Sequence, residues 1–162
     1  MTEYYKEKLE AGLAYQDYVC EQLRKHDPCM IVLPYSSHKW QISKGESASG
    51  IEIKHDMRMC ETRNLYFETA EKSNAENKNY VPSGIYRKDN TWLYLIGDYD
   101  EAFLFSKHQL QKIYEDKEYC KRHRIYERLT PTSKGFTYPI EEALKGYCLY
   151  HYIFSNREDN DK

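Results

Sequence analysis

The chain has 162 residues, with 24 lysines and arginines against 26 aspartates and glutamates and a formal net charge of −2. That length fits one domain with its own core, and the near-neutral balance excludes a constitutively basic nucleic-acid coat, so any DNA contact must be local. No run approaches the ~18 apolar residues a membrane helix needs, and MTEYYKEKLE lacks the apolar centre of a signal peptide; a cytoplasmic protein with no membrane partner is expected.

In chain order, the spacing predicts a helix from Thr2 to His26, with Leu9, Gly12, Leu13, Tyr15, Val19, Cys20 and Leu23 on one stripe and Gln16 inside it. Asp27-Pro28 ends it, because proline disfavours helical dihedrals in the residue before it. MIVLPY (30–35) and KWQIS (39–43) read as short β-rich runs, followed by the turn KGESASG and the strand GIEIKHD. After a polar connection, NLYFET is a strand with Leu65 and Phe67 on one face, and residues 71–84 form a loop by composition. TWLYLIGD and EAFLFSK predict an antiparallel hairpin buried on both faces. SKHQLQKIYEDKEY predicts a helix capped by Ser106, and a closing helix runs from Glu141 to Tyr152. The expected domain is residues 1–154, an α/β (α+β) unit with a central mixed sheet of five or six strands flanked by helices; SNREDNDK, 155–162, is expected to be a disordered tail.

The five cysteines form no C-x-x-C pair and are odd in number, which argues for reduced, mostly buried thiols over a disulfide framework or a zinc ribbon. Seventeen tyrosines supply ring area to the core, and one or two could stack on bases. No phosphate-binding glycine loop, dinucleotide fingerprint or G-x-S-x-G elbow occurs.

Glu-x-Lys occurs three times, at Glu52, Glu76 and Glu115. Only Glu52-Ile-Lys54 lies on a period-two strand, where both side chains share one face and Ile51 and Ile53 occupy the other. Glu46 precedes that strand and Asp56 continues its polar face. Mg²⁺ takes one or two carboxylates plus waters and phosphate oxygens, so Glu46 and Glu52 could converge on one ion, with Lys54 offsetting the charge that grows at phosphorus.

Glu46, Glu52 and Lys54, in the arrangement acid, hairpin, strand bearing Glu-x-Lys, resemble the PD-(D/E)xK nuclease superfamily, the restriction-endonuclease-like fold that includes Holliday-junction resolvases. The first helix before the sheet and NLYFET after it support the resemblance, which spans Leu9 to Lys107 in order of elements. It implies an Mg²⁺-dependent endonuclease, with Mn²⁺ as a substitute, hydrolysing DNA in restriction, repair or recombination, and a homodimer would let it cut both strands. Glu46 and Glu52 would be its metal ligands and Lys54 its charge stabiliser. Gln16 stands where many members carry a helix glutamate and could hold a metal-bound water. Glu68 could add a ligand if it turns toward Glu52. Lys121, Arg122, Arg124, Arg128 and Lys134 are the candidates for DNA-backbone contact. The competing reading is a non-catalytic module on the same fold that binds a protein or single-stranded nucleic acid.

Overall fold

Helix α1 (Glu3–His26) buries Tyr15, Val19, Cys20 and Leu23 as its apolar stripe, the outcome its three- and four-residue spacing predicts. The computed structural model describes residues 3–27, 29–35 and 38–154; the tail 155–162 lies outside them. Leu9 and Leu13, expected on the same stripe, remain 36% and 44% exposed because they border an open cavity instead of packing on the core.

MIVLPY is extended without becoming a strand: its β-bridge joins Pro34 to Ser47, and the N–H of Tyr35 donates to the carbonyl of Glu46 at 3.1 Å. KWQIS, expected as a β-run, lies in helix α2 (His38–Lys44). Its alternation is too short to separate strand from helix. The Ser43 hydroxyl bonds back to the carbonyl of Lys39, and Gly45, at φ 121°, closes the last turn onto Gln41.

Strand β1 (Ile51–His55) is followed by the single turn α3 (Met59–Thr62), strand β2 (Asn64–Glu71), the two-residue β3 (Val81–Pro82) and a 3₁₀ turn, Gly84–Tyr86. Strands β4 (Leu93–Gly97) and β5 (Glu101–Ser106) make the expected antiparallel hairpin. The helix expected from Ser106 divides into α4 (Lys107–Glu115) and α5 (Lys117–Arg122). Asp116 breaks it, with ψ at 92° and a carboxylate that accepts from the Tyr119 N–H at 2.8 Å, capping the second helix. Strands β6 (Tyr126–Leu129) and β7 (Ser133–Pro139) follow. The closing helix is only α6 (Ile140–Lys145); after Gly146 the chain becomes strand β8 (Tyr150–Ile153), paired with β5.

One central sheet was expected, and the described residues form two. A mixed sheet has the order β1-β4-β5-β8, with β1 parallel to β4; an antiparallel sheet has the order β3-β2-β7-β6. The result is a single α/β domain. On one face of the mixed sheet, Ile51, Ile53, Leu93, Leu95 and Leu104 pack against α1. On its other face, Tyr94, Ile96, Phe103 and Phe105 meet Leu65, Phe67, Phe136 and Tyr138 of the second sheet together with α4, α5 and α6. Each of the four phenylalanines is at most 1% exposed, and burying one contributes about 2 kcal/mol.

All five cysteines are free. Cys20 and Cys120 are buried, whereas Cys29 and Cys60 are exposed, against the expectation of mostly buried thiols. No helix among the described residues is long and apolar enough to cross a membrane.

Candidate active site

Because β1 alternates, Ile51 and Ile53 go to the α1 core, while Glu52 and Lys54 point to the other face beside Tyr94 and Ile96, their partners in the parallel register. As an edge strand, β1 leaves part of the Lys54 side chain in water: 44% of it is exposed, whereas that of Glu52 is only 2% exposed. Glu46 reaches the same point from the segment that bridges to Tyr35.

Lys54 Nζ lies 2.8 Å from Glu52 Oε1 and 3.0 Å from Glu46 Oε1. One ammonium therefore joins two carboxylates. The second oxygen of Glu52, Oε2, and the Tyr94 hydroxyl are both buried, and the hydroxyl stands close enough to that carboxylate to act on it as a hydrogen-bond donor. Burial pulls the Lys54 amine down, but Glu52 and then Glu46 outweigh it and hold lysine above its ordinary value. Burial pushes the Glu46 carboxyl up against the opposing pull of Lys54. Tyr94 is raised as well, by burial first and then by the Glu52 charge.

A second buried ion pair borders this triad. Lys107 Nζ contacts Asp89 Oδ1 at 2.8 Å and donates to the carbonyl of Arg87 at 2.6 Å, and Arg87 stands 3.6 Å from Asp89 Oδ2. The Arg87 charge also favours ionised Glu46. Neither Asp89 nor Lys107 is marked by a local motif. Tyr94 carries a signal that could have been read, a hydroxyl inside an otherwise apolar strand.

The other candidates separate. Gln16 is buried on α1, which packs on the face of β1 opposite Glu52. It borders a cavity of about 780 Å³ that Gln41, Glu46 and Lys54 also line, and its Nε2 has no partner. Glu68 does not complete the triad: it accepts hydrogen bonds from the hydroxyls of Ser83 and Ser133. Lys54 and Glu68 nevertheless line one smaller cavity, of about 230 Å³, with Asp56, Tyr66 and Tyr94. Asp56 is occupied by the backbone, accepting from the N–H groups of Arg58 and Tyr66. His55 stacks on Tyr15 at 4.4 Å, and burial lowers its pKa.

The expected basic cluster is divided. Arg124 and Arg128 border one cavity, whereas Lys121 borders another with Lys117 and Glu127. Arg122 and Lys134 are exposed and line neither. Lys134 sits at the Phe136 side of β7, where its charge acts on Glu127. The split follows from the turn between α5 and β6: Lys121 and Arg122 end the helix, Arg124 lies in the turn, and only Arg128 and Lys134 are on strands.

Among the described residues, no group of three or more histidine, cysteine, aspartate or glutamate side chains is arranged to hold a metal ion. No family model matches the chain, and neither a curated protein nor a solved structure is similar to it.

Proposed function

We propose that this chain is a divalent-metal-dependent phosphodiesterase acting on DNA, an endonuclease built on the PD-(D/E)xK plan. The observation that carries the reading is the Lys54 ammonium held between Glu46 and Glu52, two carboxylates brought to one point.

The donor set fits Mg²⁺ or Mn²⁺. Two carboxylates are enough when waters and phosphate oxygens complete the coordination. Glu46 and Glu52 would hold it; when bound, such an ion supplies Lewis-acid polarisation of the phosphoryl group and a more acidic water. Lys54 stays protonated in this environment. Its role is to offset negative charge growing at phosphorus, and general-base work falls to another group. Gln16, on the cavity shared by Glu46 and Lys54, is placed to hold a water there.

The architecture supports the family reading in part. A long helix precedes the sheet, and the Glu-x-Lys strand belongs to a mixed sheet, as the resemblance implies. That strand, however, is an edge strand parallel to its neighbour, and Glu46 reaches it from a bridged segment instead of a hairpin strand. One observation favours a non-catalytic module: Lys54 already pairs with both carboxylates that would hold the ion. Calorimetric titration of Mn²⁺ into wild type and Glu52→Gln separates the two. One-site binding lost in the variant supports the enzyme, and no heat in either supports the module.

A further inference from the structure

Strands β2, β7 and β6 bring a second set of residues together on the face turned away from the core. Leu65, Phe67, Phe136 and Tyr138 point inward. Alternation therefore places Tyr66, Thr137 and Tyr126, which are cross-strand neighbours, in one row on the outer face. Glu68, Gly135 and Arg128 form the next row.

Tyr66 lies along the sheet. A Cβ placed on Gly135 would stand 2.7 Å from its Cζ and hydroxyl, so the ring occupies the space that glycine leaves open. Its hydroxyl is tied to Ser133 Oγ at 2.6 Å. Tyr126, two strands away, is 52% exposed. Beside this row is a cavity of about 580 Å³ bordered by Arg63, Arg124, Arg128 and Tyr126.

Arg63 and Arg124 are the non-glycine residues with positive φ among the described residues, at 52° and 56°. Both end a helix in the ordinary left-handed way, Arg63 as the cap of α3 and Arg124 just beyond α5, where the Ile125 N–H returns to the Cys120 carbonyl. Both arginines hold carboxylates, Arg63 with Glu101 and Arg124 with Glu141. Arg128 has no ion-pair partner in the described structure. The row leads to the candidate active site, since Tyr66 also borders the cavity of Lys54 and its N–H donates to Asp56 at 2.9 Å.

We infer that this outer sheet face is a binding track for single-stranded nucleic acid, with unpaired bases on Tyr66 and Tyr126 and phosphates at Arg128 and its neighbours, leading the strand toward Lys54. Tyrosine rings can stack only on bases whose faces are free, which selects a single strand over a duplex. A chain of net charge −2 with one unpaired arginine here offers few phosphate contacts, so stacking carries more of the affinity than counterion release. The inference rests on the nuclease reading only for what the track delivers; the track itself binds without metal.

The test is fluorescence anisotropy in EDTA, where no cleavage occurs, with a labelled oligodeoxynucleotide, the same sequence as oligoribonucleotide, and its blunt DNA duplex. A single strand of one sugar or both should bind at least about tenfold tighter than the duplex, and the two single-strand arms identify the sugar. Tyr126→Ala should weaken that binding about tenfold, and Arg128→Ala should reduce the salt slope by about 0.7. Both positions are exposed, and unchanged circular dichroism would confirm that the variants fold. Duplex binding as tight as single-strand binding, or unchanged affinity and salt slope in both variants, would overturn the track. Loss of cleavage in Mg²⁺ with binding intact would bear only on the nuclease reading.

Discussion

Lys54 Nζ is 2.8 Å from an oxygen of Glu52, a carboxylate only 2% exposed, and the same ammonium holds Glu46 at 3.0 Å. A buried acid thus depends on a half-exposed lysine for its counterion. Removing the lysine strands the acid, whereas removing the acid lets the lysine turn to water.

Lys54→Ala should therefore destabilise the fold more than Glu52→Gln. Loss of one partner from a fully buried pair costs about 3–5 kcal/mol, and the exposure of Lys54 reduces that to about 2 kcal/mol through solvent screening. Urea unfolding of both single variants and the double variant checks it. The double should be more stable than the sum of the singles implies, because neutral glutamine no longer needs the lysine.

Asp89→Ala should cost about 3 kcal/mol, since it leaves the Lys107 ammonium, 8% exposed, without its carboxylate. Replacing both Asp89 and Lys107 by apolar residues of similar volume should recover most of the loss. The readout is the unfolding midpoint at unchanged denaturant slope.

Glu46 gives stability a pH dependence. Its folded pKa is raised by burial against the pull of Lys54, so the folded state binds the proton more tightly than the unfolded chain. The stability tied to that proton is complete below the ordinary glutamate value of about 4.3 and is lost as pH rises through the raised folded value. Lys54 acts in the other window: its contribution is complete at neutral pH and is lost only as pH rises through its raised pKa. Denaturant unfolding of metal-free protein across mildly acidic pH should show a decline in wild type that flattens in Glu46→Gln.

Thiol reactivity should follow exposure. Cys29 and Cys60 should couple to a maleimide in the native protein, while Cys20 and Cys120, buried and with thiols pushed up by burial, should react only after denaturant. Mass spectrometry of peptides after brief labelling resolves each position.

Local pattern made much of the fold legible. Helix α1, β1 and β2 follow from residues that repeat at helical or two-residue spacing within each element, and the β4–β5 hairpin from two near-continuous apolar runs around a turn. KWQIS misled because its short alternation also fits a helix, and only the turn at Gly45 decides between them. The closing segment misled for the opposite reason: the helix-favouring EEALK was extended past Gly146 into Tyr150–Ile153, which becomes a strand because β5 offers it an edge.

The site was legible to the same extent. Alternation and one turn bring Glu46, Glu52 and Lys54 together within a few residues of chain. Asp89 and Lys107 meet across 18 residues, and Tyr66 finds Ser133 across 67, so neither pairing leaves a local trace. The basic residues looked like one cluster because adjacent positions were counted without allowing for the turn between α5 and β6, which parts Lys121 from Arg124 and Arg128.

The most direct measurement is cleavage of linear, supercoiled and branched DNA, in Mg²⁺ and in Mn²⁺, by wild type, Lys54→Met and Glu52→Gln, with folding of each variant verified. The account predicts metal-dependent cleavage by wild type that falls at least about a hundredfold in each variant, in line with loss of an electrostatic group from an active site. No cleavage of any DNA by wild type, or equal cleavage by the variants, would contradict it.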